Sequence, residues 1–154
     1  MRRTSTLLAR LRREESGNAI VEFLGVTLVL LLPLVYLVLT LGRVQAAAFA
    51  AEAAARESGR VLSQADDLPT ALAHAQTAVE LAFGDHGIDV DPSTALSFAC
   101  SADPCLSPGG QIHVEVSAVV PLPLVPDFLG DTVPLEVPVR ATHLVAVPEF
   151  REAP

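Results

Sequence analysis

Hydrophobic and polar positions follow three different rhythms along this chain. The first is continuous. From Phe23 to Leu41 there are 19 residues without a charge. As an α-helix they extend about 28 Å, close to the roughly 30 Å hydrocarbon core of a bilayer. A helix buried in a soluble domain normally shows a polar stripe. Thr27, Tyr36 and Thr40 do not make one. The pattern predicts a transmembrane helix with its span at about residues 21–41. Pro33 is expected to bend the span without ending it, because membrane helices tolerate proline. Beyond Arg43 the stretch VQAAAFAAEAAARESGRVL continues in helix formers. One helix is therefore expected from about Gly17 to about Leu62, with Gly59 as the first plausible terminator.

The second rhythm is helical and amphipathic. Leu68, Leu72, Ala75, Val79 and Phe83 recur at helical spacing. Asp66 and Asp67 are suitable caps, Pro69 fits a first turn, and Gly84 and Gly87 close the segment. The third rhythm alternates. In QIHVEVSAVV, Ile112, Val114, Val116 and Ala118 share one face, opposite His113, Glu115 and Ser117. DPSTALSFACS reads as a short strand before a cysteine turn, and SPGG as another turn. VPLEVPVRATHLVAV alternates too, with Val133, Leu135, Val137 and Val139 together. Pro134 and Pro138 mark it as an edge or interrupted strand. A proline-rich connection, PLPLVPDFLGD, precedes it. The expected class is α+β: a long N-terminal transmembrane helix, one further helix, and a small antiparallel sheet of about three strands.

Charge orients this arrangement. Arg2, Arg3, Arg10, Arg12 and Arg13 precede the apolar run, and the rest of the chain is acidic, within a net charge of −8. The excess of arginine on one side predicts a cytoplasmic N-terminus and an extracytoplasmic remainder. An acidic exterior argues against nucleic acid as a partner, since binding phosphate backbones needs a basic surface. A cleaved secretory signal is the rival reading. Its apolar core is shorter, roughly 7–15 residues, although the alanines near Ala46 and Ala48 offer cleavage patterns. Cys100 and Cys105 fall in the proposed exterior, a compartment that permits disulfides. Their spacing is not that of a zinc site, and a local structural bridge is expected.

Catalytic chemistry finds no support. There is no G-x-S-x-G, no H-E-x-x-H and no phosphate-cradling glycine loop. Asp85 and His86, in GDHG, fit a helix-ending turn, and His74 reads as a solvated residue. The chain is expected to be neither an enzyme nor a cofactor or metal binder.

Glu22 is the anomaly, a carboxylate at the head of the apolar run. A charge at a membrane helix centre costs roughly 2.5–3.5 kcal/mol on insertion scales and less near the interface. A basic leader, Gly17, four residues, Glu22 and then a long apolar helix form the arrangement of a class III prepilin signal. The stretch GNAIVEF, with Pro33, the pair Gly42–Arg43 and the AAAR ending at Arg56, resembles the TadE-like family, pseudopilin or minor-pilin-like proteins of Tad (tight adherence) pilus systems. The resemblance covers about residues 16–60.

It implies a basic leader at 1–17, a long helix at 18–62 and a pilin-like extracytoplasmic domain at 63–154. It also implies cleavage by a prepilin peptidase between Gly17 and Asn18, with Glu22 and Phe23 near the new terminus. The carboxylate of Glu22 would pair with a neighbouring subunit's amino group. The implied partners are the lipid bilayer, the peptidase, and other pilin-like or Tad assembly subunits. An uncleaved single-pass envelope binding module is the alternative. The alanine-rich segment Ala46 to Ala55 is suited to pack either on neighbouring pilin-like helices or on the chain's own sheet.

Overall fold

The computed structural model describes residues 3–123 and 136–150, with side chains described from Asn18 onward. The order is α1 (Arg3–Gln64), α2 (Leu68–Gly84), α3 (Pro92–Ala95), β1 (Leu96–Cys100), β2 (Gln111–Pro121) and β3 (Glu136–Ala146). The chain divides into two units, Met1–Leu39 and Thr40–Pro154.

The helix α1 begins earlier than expected, at Arg3 rather than near Gly17, and ends at Gln64 rather than Leu62. Residues 3–17 are rich in leucine, arginine and glutamate, all strong helix formers, which explains the early start. Gly17, Gly59 and Pro33 all lie inside the helix. In the first unit the large aliphatic side chains of the apolar run are exposed, from 71% at Val29 to 46% at Val35, and Tyr36 is half-buried.

In the second unit the same helix is a core element. Ala47, Ala50, Ala51, Ala54, Ala55 and Leu62 are buried. They join Ala71, Ala75, Val79 and Phe83 of α2 and the inner face of the sheet in one cluster. The alanine-rich face is thus covered by the chain's own domain. Ser58 is buried and donates to the Ala75 carbonyl at 3.3 Å, tying α1 to α2. A methyl added at Gly59 would lie 3.0 Å from the His143 ring and 3.4 Å from Val145, so glycine permits the close passage of β3 over α1.

The helix α2 starts where the capping signal places it. Asp67 is in extended conformation, and its carboxylate accepts the Thr70 backbone N–H at 2.9 Å. This bond holds the Asp67 carboxyl below its ordinary range, aided by the Thr70 hydroxyl. A lowered folded value means that the cap stabilises the fold above the ordinary aspartate range, near about 3.9, and loses that effect as pH falls through the folded value. Asp67→Ala is therefore expected to lower the melting temperature at pH 7, with the gap from wild type narrowing at pH 3. Circular dichroism melts at both pH values check this; an equal gap at both would show that the carboxylate charge is not what caps the helix.

The sheet is antiparallel, with β2 in the centre and β1 and β3 at its edges. Ile112, Val114, Val116 and Ala118 are buried, as the alternation predicts. Pro138 lies in edge strand β3 opposite Val119, where a missing donor costs the ladder least. Val133, Pro134 and Leu135 lie outside the described residues, as does most of the proline-rich connection. One correction concerns DPSTALSFACS. Only its second half is strand. Asp91 accepts from the Ser93 N–H and hydroxyl, and starts the single turn α3 before β1. The result is a pilin-like α+β architecture: a long apolar N-terminal helix, a second helix, and a three-stranded antiparallel sheet packed against it.

Candidate functional site

The residues singled out near the start of the chain all lie on α1. Gly17 is within the helix, and Asn18, Glu22 and Phe23 follow on exposed helical turns. Glu22 is one turn beyond Asn18, about 6 Å along the axis from the helical rise. Past Glu22 the exposed surface is almost wholly apolar. Val29 is 71% exposed and Leu32 66%. By length and composition this helix suffices for one membrane crossing, and a signal sequence would meet the same description. Among the described residues, no hydrogen bond or ion pair engages the Glu22 carboxylate.

At the far end of the apolar run stands a residue that composition and spacing did not single out for a contact. Arg43 is the first charged side chain after Leu41. Its guanidinium donates to the His86 carbonyl at 3.2 Å and to the Gly87 carbonyl at 2.8 Å. These carbonyls belong to the turn that ends α2. There the Gly87 N–H bonds the Gly84 carbonyl and the Ile88 N–H reaches back to Phe83. Gly87 has φ +62°, the left-handed conformation that glycine adopts freely. Negative partial charge gathers at a helix C-terminus, so a cation there is favoured. Asp85 and His86 are exposed parts of this turn, as their sequence context suggested.

The two cysteines form a disulfide, with Cα atoms 5.2 Å apart. Cys100 ends β1 and Cys105 precedes buried Leu106. The turn between them is also fastened to β2, through the Ser101 N–H to the Gln111 carbonyl and the Gln111 N–H to the Ser101 hydroxyl. The bridge staples the start of the sheet. Replacing both cysteines by serine is expected to cost about 2 kcal/mol, from the loop-closure entropy of so short a ring. Urea titration followed by circular dichroism measures this. An unchanged midpoint would show that the two hydrogen bonds alone hold the turn.

Other chemistry is sparse. Among the described residues, no group of three or more His, Cys, Asp and Glu side chains is placed to hold a metal ion. The ion pairs Arg56–Glu52 and Arg60–Glu57 lie along the exposed side of α1, and Arg140–Glu115 bridges β3 and β2. Such exposed pairs stabilise little. No protein-family model, curated protein or solved structure matches the chain.

Proposed function

We propose that this protein is a membrane-anchored pseudopilin-like subunit, of TadE-like type, that takes part in assembling a Tad or type IV-type pilus. The carrying observation is the pilin-like architecture: α1 presents an exposed, uncharged surface from Phe23 to Leu41, and its later turns supply the core of an α+β domain. In this reading the arginine-rich end is cytoplasmic and the acidic, disulfide-bearing domain lies outside, as the charge asymmetry favours. A prepilin peptidase cuts after Gly17 and leaves Asn18 as the mature N-terminus. Glu22, one turn further on, pairs with the new amino group of a neighbouring pilin-like subunit. Desolvation offsets much of the attraction between such charges, so the pair acts mainly on register and orientation. The domain is an assembly and interaction module, and no catalytic role is assigned to it.

The test is the intact mass and N-terminal sequence of the membrane-extracted protein, from cells with and without their prepilin peptidase. A peptidase-dependent start at Asn18 is expected. An uncut chain in both strains would replace this reading with a single-pass envelope module. A start among Ala46 to Ala54 would mean a secretory signal.

A further inference from the structure

The turn that ends α2 lies close to the place where the apolar run of α1 stops. Leu41, Arg43 and the turn all belong to the Thr40–Pro154 unit, so this closeness is a property of that unit alone. Arg43 is only two residues past Leu41, about 3 Å by helical rise. A first cation beyond an apolar span settles at the headgroup layer, its stem in the apolar region and its head among phosphates. Here that head is already held by the His86 and Gly87 carbonyls. The turn must then occupy the same layer. Its residues are accessible there: Gly84, Asp85, His86 and Gly87 are all exposed. A methyl added at Gly84 would meet nothing within 4 Å.

The guanidinium has five N–H donors in a planar fork, and the two bonds to the turn leave others over. Arg43 is half-buried rather than enclosed. A phosphodiester oxygen is the acceptor that such a fork matches best. We infer that Arg43 and the Gly84–Gly87 turn form a lipid-contact surface, in which Arg43 is shared between a phospholipid phosphate and the α2 C-terminal carbonyls. The turn then rests in the headgroup layer and sets the height of the domain on the bilayer. This rests on the membrane-anchored reading above, and deepens it by naming where the domain meets lipid.

The experiment uses the full chain reconstituted into phosphatidylcholine vesicles. A fluorophore is placed on a single new thiol at His86→Cys or, as control, at His113→Cys on the outer face of β2. Both native cysteines are in the disulfide and leave no free thiol. Headgroup-attached spin-labelled lipid is the quencher. Quenching at position 86 is expected to exceed that at position 113 several-fold. Arg43→Ala should reduce it towards the control value, with circular dichroism confirming a folded domain. Arg43→Lys, which keeps the charge but loses the fork, should fall between them. Equal quenching at 86 and 113 in protein that floats with the vesicles would overturn the lipid-contact surface while leaving the anchor intact. Unchanged quenching at 86 in folded Arg43→Ala would remove Arg43 from it. Protein that fails to float with the vesicles would overturn the anchor reading itself.

Discussion

Phe83→Ala is expected to leave the α+β domain close to unfolding at ambient temperature. Phe83 is the largest of the fully buried side chains, at 0% exposure, and sits in the last full turn of α2. Its backbone carbonyl also accepts the Ile88 N–H that closes the helix-ending turn. Truncating a buried phenylalanine removes transfer free energy and leaves a cavity, at a cost of about 3–5 kcal/mol. Whole domains are stable by only about 5–15 kcal/mol, so one substitution consumes a large share. Leu81→Ala is the matched control. It lies two residues away on the same helix but is 63% exposed, and should change stability by less than about 0.5 kcal/mol. Urea titration of both variants in mild detergent gives the comparison. Equal midpoints would mean that α2 does not pack in the way described.

Glu22→Ala is expected to abolish or severely reduce entry into assembled fibres while the protein still reaches the membrane in normal amount. Losing a carboxylate can only ease insertion, because charged groups oppose it. The loss should appear at the next step, when a neighbour's amino terminus finds no partner. Removing one member of a desolvated pair leaves the other charge uncompensated, which typically costs about 3–5 kcal/mol. Two fractions decide the matter: carbonate-resistant membrane protein and protein sheared from the cell surface with fibres. Normal yield in both would sink the pairing. Glu22→Gln retains shape and hydrogen bonding but not charge, so its failure alongside alanine would identify charge as the requirement.

Much of the fold was legible in the chain because its elements depend on local signals. The caps Asp66 and Asp67 with Pro69 located the start of α2 to within a residue or two, and the alternation from Gln111 exposed the buried face of the central strand. Pro138 marked an edge or interrupted strand, and the pairing with β2 alone makes it an edge. Other features depended on chain segments distant in sequence. The alanines from Ala47 to Ala55 suit any close helix contact, and only the sheet and α2 reveal that their own domain covers them. Gly59 looked like a helix terminator and is instead a crossing point for His143 and Val145. The turn α3 was hidden inside a strand-like run, although Asp91 before Pro92 was the available signal. Of the candidate site, the disulfide was legible from compartment and spacing. The Arg43 contact was not, because its acceptors are backbone carbonyls more than forty positions away, and carbonyls leave no signature in side-chain sequence.

The burial of Ser58 and of the alanines beside it has a practical consequence for dividing this chain. A cut after Gln64 would seem to separate anchor from cargo, yet it would discard one wall of the domain's interior. The surviving fragment would expose the inner faces of α2 and the sheet and aggregate. A version without the apolar run has to keep the helix at least from Ala47 onward, and starting at Thr40 keeps the whole second unit, Arg43 included. Proteolysis within α1 would likewise release a folded product only if the scissile bond lay upstream of Ala47, the first residue of α1 in the buried core.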